Sequence, residues 1–427
     1  MFYETPLQRR ALILTSLTHF VNDGVAMVPL SIFPLLLTLF ALAPPELGVV
    51  AAMWNITSVV GSPAVGHLSD RLKRNNILLA AGLVMMAIGV VGTGWSVTTG
   101  MVRSWLPLHV YPALLLFATL GGLGSSVCHP VGGTVLSKAY PPTKLGKALG
   151  LNGALGSLGR ALYPSLVVIL VTALNLDYGV IALGLFGLLP VALIGLFPFE
   201  SARDNFPHRS VKCTEARNTG ESGSRKISTL GRSAKTSVLV LMTIGLFRSL
   251  FGQGVVSFLS VFIVEVQRYS FSFGVGVIMM IAIVLSVPGQ VIFGQFSDLH
   301  RTASLGVNTA GQSLAIIFYL HVLSNPVLAV AFLALFGFFA YSGYPVFLSV
   351  VADAVPAEFL SLSNSIVWGV GVLGGSAVGP LIVGLFVGNN LSLLPTTFLI
   401  LAVVSGLSTG LVALLPRRSE QTFTRTA

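Results

Sequence analysis

The sequence predicts an all-α membrane protein with twelve transmembrane helices in two pseudo-symmetric six-helix halves. Three observations predict it. Only 9% of the 427 residues are charged and 54% are hydrophobic, whereas a water-soluble domain carries about 25% charged residues. The apolar runs reach the roughly 20 residues a helix needs to cross the hydrocarbon core, well beyond the alternating segments of ~10 residues that build a barrel. Finally, several segments of the first half recur in the second. Backbone polar groups in lipid must pair internally, so runs of this length read as helices.

The spans fall at 11–40, 47–66, 76–97, 106–135, 146–173, 178–199, 236–264, 272–293, 303–323, 327–351, 360–387 and 394–415. Span one is too long for a cleaved signal peptide, and no small-residue cleavage site follows it. The runs 178–199 and 394–415 carry no charge, while spans nine and ten are parted only by Ser324, Asn325 and Pro326. Of the two cysteines, Cys128 falls inside a span and Cys213 in a loop, so no disulfide framework is implied.

Orientation follows from Lys and Arg, which concentrate in cytoplasmic loops. Arg9 and Arg10 precede span one. Arg71, Lys73 and Arg74 follow span two, and Lys138, Lys144 and Lys147 lie between spans four and five. Eight basic residues occupy Arg203 to Lys235, and Arg417, Arg418 and Arg425 lie near the end of the chain. The alternate loops hold Arg103 and Arg268, offset by Glu46, Asp177 and Glu265. Both termini are therefore expected in the cytoplasm of a cell that carries the protein in its plasma or inner membrane. The net charge of +10 is mainly a topology signal. It lies in short loops rather than on one folded face, so no nucleic-acid partner is expected. The central loop reads as a solvated linker, or as a contact for anionic lipid.

The repeat is direct. "GHLSDRLKRNN" (66–76) matches "GQFSDLHRTAS" (294–304), with Gly66 on Gly294 and Asp70 on Asp298. "HPVGGTVLSKAYPP" (129–142) matches "YPVFLSVVADAVPA" (344–357), and Pro164 falls on Pro380. The expected organisation is a half at 1–200, a cytoplasmic linker at 201–235 and a second half at 236–427.

Taken together, the loop Gly66, Asp70, Arg71, Arg74, the twelve-span topology and the repeat resemble the major facilitator superfamily across essentially the whole chain. Lys73 stands where that family usually has Gly, and Leu299 replaces the Arg of the second copy. "THFVNDGVAMVPLSIFPLL" and "GLGSSVCHPVGGTVLSKA" resemble its fosmidomycin-resistance-like branch of drug and organic-anion exporters. The resemblance implies a monomeric secondary transporter for a small molecule, driven by a proton gradient and needing no cofactor. It implies that Asp70, with Arg71, Arg74 and Asp298, forms gating loops, Asp70 meeting the start of span eleven near Ser361 and Ser363. It also implies that Gly156, Gly159 and Pro164, with Gly375, Gly379 and Pro380, seal the interface between halves. Tyr163 and Arg160 depart from the small residues of that motif.

Three ionisable groups lie deep within spans: Asp23, Arg160 and Arg248. A charge at the bilayer centre costs about 2.5–3.5 kcal/mol on insertion scales, so each needs a wet or paired setting. His19, Asn22 and Asp23 are spaced i, i+3, i+4 and share one helical face. Burial raises a carboxylate's pKa and a nearby arginine lowers it, so Asp23 reads as a proton-coupling acid, as the fixed partner of Arg160, or as a protonated acid hydrogen-bonding to another helix. His19 reads as a proton relay or as a neutral hydrogen-bonding residue. Arg248, on the repeat partner of span one, reads as an anion contact, because guanidinium binds carboxylate or phosphonate bidentately, as a structural ion-pair partner of Asp23, or as the cap of a broken helix. Arg160 lines the cavity or locks the interface. His129 precedes the helix-breaking Pro130 and reads as a cavity residue; Cys128 beside it points elsewhere, so no metal site is expected. Gln253, Tyr341, Asn364 and Trp368 are further cavity candidates, each also readable as packing.

The expected activity is proton-coupled export, by antiport, of a small organic anion or amphiphilic drug. The alternative is a proton symporter or anion exchanger taking up a carboxylate or phosphonate. The scattered His and Asp do not form a catalytic set, so no enzyme is expected. No Gly-x-x-x-x-Gly-Lys-Ser/Thr loop appears, which leaves ATP without a binding signature. A non-transporting receptor would tolerate loss of Asp23.

Overall fold

The computed structural model describes residues 5–72, 74–98, 109–199, 230–356 and 359–415, with backbone alone at 70, 142, 143, 298, 299, 344, 345, 348 and 361. Lys73, Arg103, Cys213, the linker at 201–229 and Arg417, Arg418 and Arg425 lie outside the described residues. So do the side chains of Asp70, Asp298 and Ser361.

Each expected span coincides with one helix or with two or three consecutive helical segments. Among the described residues, ten helices are long and apolar enough to cross a membrane. The other two expected spans are Arg301–His321 and the broken pair Pro326–Ala340 and Tyr344–Ala354. Arg301–His321 is less apolar because Ser304, Asn308 and Gln312 form a buried polar face at i, i+4, i+8.

Proline and glycine placement shapes the helices. Span one starts at a capping box, Thr5 with Gln8, which satisfies two donors of the first turn. It breaks near Ala26 and again at Ile32, so Pro6–Val25 is followed by Met27–Ser31 and Phe33–Phe40. It stops at Ala41, whose φ of 52° is left-handed. Span four breaks after Ser125, just before His129 and Pro130, and span ten breaks at Tyr341–Gly343. The two breaks fall at matching places in the repeat. Span eleven contains a π-helical stretch, Ile366–Leu373.

Helix packing also repeats. Span one packs on span five and span seven on span eleven; span three packs on spans four and six, and span nine on spans ten and twelve. Across the halves, span two packs on span eleven and span eight on span five. A methyl at Gly48 would lie 2.6 Å from the Pro380 carbonyl oxygen, and one at Gly276 would lie 3.1 Å from that of Pro164. Thus the two repeat-matched prolines face a glycine of the opposite half. Proline also strips a helix of the hydrogen bond to the carbonyl four residues back. For Pro380 that carbonyl belongs to Ser376, and Asn55 of the other half donates to it at 3.4 Å.

The glycines behave differently from the prolines, and this corrects the expected interface motif. Gly375 and Gly379 sit against the carbonyls of Leu246 and Leu250 on span seven, within their own half. Gly156 and Gly159 sit against His19 and the Phe20 carbonyl on span one. Small residues permit such close backbone approach. These four glycines therefore join helix pairs inside each half, whereas Pro164 and Pro380 reach across, as does Gly384 against the Pro44 carbonyl. Tyr163 follows from the same seam: its ring fills the space opposite Gly24, where a methyl would lie 2.1 Å from it. The glycine expected on span five has a counterpart on span one.

The halves meet tightly at the end remote from the chain termini. There the Ser260 hydroxyl donates to the Leu30 carbonyl at 2.5 Å, and the Phe33 and Phe258 rings pack edge-on. Toward the other end, Gly66, Gly132, Gly133, Gly146, Gly150, Gly294 and Gly369 have no neighbour within 4 Å of an added methyl among the described residues. Between the halves, Gln290 of span eight donates to Ser157 of span five at 2.6 Å.

Candidate functional site

The close seam between spans one and five delivers the site. Because Gly156 lacks a side chain, the His19 imidazole occupies its position; a methyl there would sit 2.5 Å from Nε2. One turn further, Asp23 is 5% exposed and its Oδ2 lies 2.6 Å from Arg160 Nη2. Asn22 Nδ2 donates to Oδ1 at 2.9 Å. His19 Nε2 lies 3.4 Å from Oδ2, and His129 Nε2 lies 3.9 Å from Oδ1. The i, i+3, i+4 face of span one thus meets span four through His129 and span five through Arg160.

The outer layer holds this geometry. Asn152 Oδ1 lies 2.7 Å from His19 Nδ1. The His19 and His129 rings pack edge-to-face at 4.9 Å. The His129 side chain is 57% exposed, which makes it the solvent-facing member of the cluster. The Arg160 guanidinium, bonded to Asp23 on one side, lies 4.4 Å from the Tyr341 ring centroid on the other. A cation over an aromatic face at this range is attracted by the ring quadrupole. Tyr341 sits at the break of span ten, so Arg160 touches both halves.

Arg248, expected as an anion contact, a partner of Asp23 or the cap of a broken helix, lies among the carbonyls of span ten. It is 1% exposed and lies inside the second half. Its Nη2 donates to the carbonyls of Phe339 at 2.6 Å and Ala340 at 2.9 Å and to Asn308 Oδ1. Asn308 in turn donates to Ser342. A helix break frees backbone carbonyls that need donors in an apolar interior, and Arg248 supplies them for span ten. Gly343 is needed beside it, because a methyl there would lie 2.1 Å from Asn308 Oδ1.

The structure therefore brings together His19, Asn22, Asp23, His129 and Arg160, and places Arg248 in the second half. Gln253, Asn364 and Trp368 are half-buried on spans seven and eleven, Trp368 within the π-helical stretch. In the loop after span two Arg71 and Arg74 are exposed, and Ser69 donates to Asn75 at 2.6 Å. The second half holds an ion pair that the sequence reading did not single out, Arg301 with Asp353 at 2.6 Å. Asn152 also went unrecognised, although it falls on one face of span five with Gly156 and Arg160 at i, i+4, i+8. As for metals, the donors of His19, Asp23 and His129 lie within 4.8 Å of one another. Cys128 is not among them, and the carboxylate of that trio is already matched by Arg160.

Comparison with known proteins agrees with this architecture. Residues 15–367 match the Major Facilitator Superfamily. The chain belongs to the Major Facilitator Superfamily. It is 26% identical over 392 residues to the uncharacterized MFS-type transporter YfnC of Bacillus subtilis (strain 168), covering 87% of this chain and 86% of that one. The fosmidomycin resistance protein of Escherichia coli (strain K12) is 27% identical over 162 residues, 36% of this chain and 35% of that one. Among solved structures, a bacterial homologue of the human lysosomal transporter Spinster, inward-facing and occupied, superposes with a TM-score of 0.74 at 16% identity over 96% and 97% of the two chains. The D-xylose-proton symporter gives 0.73 at 15% identity over 96% and 97%. The molecule is an integral membrane transporter with the secondary-transporter fold, a class that binds small molecules within the membrane.

Proposed function

We propose that this superfamily member carries a small organic anion by alternating access, coupled to protons at the Asp23 cluster. The observation that supports this reading is the placement of Arg160 between a buried carboxylate and the opposite half. Ionised Asp23 occupies the guanidinium. A carboxylate or phosphonate substrate approaching past His129 competes with Asp23 for it, through charge-assisted bonds. A proton gained by the cluster weakens the hold of Asp23 on Arg160 and favours the incoming anion. The two halves then close around the loaded site. With the basic loops in the cytoplasm, the end that carries the chain termini faces inward.

This logic favours one sign of coupling. Proton and anion bind together, so they travel in the same direction, which matches the symport alternative better than antiport. Export by antiport is the second reading, and the name of the Escherichia coli relative favours it. A cationic amphiphile suits antiport, because it binds best when the proton has left. Both readings are tested by reconstituting the protein in liposomes with an internal pH indicator and adding phosphonates, carboxylates and cationic amphiphiles in turn. Proton movement with an added anion supports the first reading. Proton movement against a cationic compound supports the second. Substrate flux with no proton movement in either case rules out proton coupling.

A further inference from the structure

His19 has one nitrogen assigned by its surroundings. Asn152 is acceptor-only through Oδ1, which lies 2.7 Å from His19 Nδ1, and an amide oxygen takes a hydrogen bond only from a protonated ring nitrogen. With the Asn152 amide turned so that Oδ1 faces the ring, the matching tautomer carries its proton on Nδ1, and in the neutral ring Nε2 is left with a lone pair. That lone pair faces Asp23 Oδ2 across 3.4 Å. Two lone pairs at this range repel unless a proton lies between them. The carboxylate is meanwhile supplied with donors from elsewhere: Arg160 on Oδ2 at 2.6 Å and Asn22 on Oδ1 at 2.9 Å. A proton placed on Asp23 would strip Arg160 of its counter-ion. A proton placed on Nε2 lies between His19 and Asp23 and leaves the carboxylate ionised, now shared between Arg160 and the imidazolium.

We infer that Asn152 sets the tautomer of His19, so that His19 Nε2 holds the transported proton while Asp23 remains its fixed counter-ion. This rests on the proton-coupled reading above. The groups facing the ring are Asn22 and Asp23 on its own helix, His129 on span four, and Asn152, Gly156 and Arg160 on span five. The exposed His129 ring packs edge-to-face on His19 and gives protons a path from solvent. Asn152 meets His19 at Nδ1, not at Nε2, so it is a positioning residue.

The test is nitrogen NMR of protein labelled at histidine and held in lipid nanodiscs, with His19→Gln used to assign the His19 signals. At high pH the expected ring carries its proton on Nδ1, and acidification adds the second at Nε2. In Asn152→Leu the ring is expected to turn to the Nε2–H tautomer, and the pH midpoint of flux to fall by about one unit, a tenfold change. Asn152→Asp keeps an acceptor at Nδ1 and is expected to raise the midpoint, which a merely structural role would not do. An Nε2–H tautomer in wild type at high pH overturns the inference. So does a carboxylic-acid C=O band in infrared difference spectra that appears on acidification and is lost in Asp23→Asn. In both cases proton-coupled flux would persist, so the coupling reading would survive. His19 titrating as described, with proton-independent flux, overturns both.

Discussion

The Arg160 guanidinium lies 4.4 Å from the centre of the Tyr341 ring. The cation that neutralises Asp23 in one half of the molecule thereby rests on the broken helix of the other. Any event that changes the charge balance around Asp23 is felt across the interface, which is the property a coupled transporter requires.

Tyr341→Leu removes the face on which Arg160 rests, while Tyr341→Phe keeps it. Cation–π contacts contribute about 0.5–2 kcal/mol. Apparent anion affinity is expected to fall roughly 2- to 30-fold in the leucine variant and to stay near wild type in the phenylalanine variant. Equal losses in both would assign the effect to the hydroxyl.

The Asp23–Arg160 pair yields a sign test on stability. Removing one partner of a buried pair costs about 3–5 kcal/mol because the other charge is stranded; Arg160 is 23% exposed, which places the cost of losing Asp23 toward the low end. Arg160→Gln is expected to lower the melting temperature more than the double variant Asp23→Asn, Arg160→Gln. A double variant less stable than either single one would show that the two residues do not act as a pair. Asp23→Asn alone should insert and fold yet lose substrate-linked proton movement, measured in the liposome assay.

Arg248→Gln tests the bracket on span ten. The variant leaves the Phe339 and Ala340 carbonyls short of donors, so a stability loss of about 3 kcal/mol is expected. Its preference between anionic and cationic substrates should match wild type. A selective loss of anion binding, with stability intact, would return Arg248 to the substrate site.

Gly48 and Gly276 test the seam between halves. Leucine at either position has no room against the carbonyls of Pro380 and Pro164, and overpacking costs about 1–3 kcal/mol. The expected result is a population shift toward the state open at the end remote from the termini. Spin labels placed on spans two and eleven near that end should report longer distances. Unchanged distances would mean that the seam opens without these contacts.

Much of this architecture is legible in the chain. The helical runs, the repeat and the matched breaks before Pro130 and at Tyr341 follow from apolar length and proline placement, which are local properties. The face shared by His19, Asn22 and Asp23 follows from helical periodicity. Asn152 could have been found by the same rule, since it stands eight residues before Arg160. Arg248 could not be placed in this way: whether a buried guanidinium meets an anion or a broken helix depends on which carbonyls the fold delivers to it.

By itself, then, the sequence determined that this is a helical membrane protein with two related halves and a small set of buried charges, because lipid solvation demands long apolar helices and penalises every charge within them. Only the tertiary structure decided the partners. It put Asp23 on Arg160 and Arg160 on Tyr341, turned Arg248 onto the break in span ten, and set glycines to join helices within a half while prolines meet glycines across it. The reason is physical: a buried polar group is satisfied by whatever donor or acceptor the packing brings within about 3 Å, and that distance is a property of the folded helices, not of spacing along the chain.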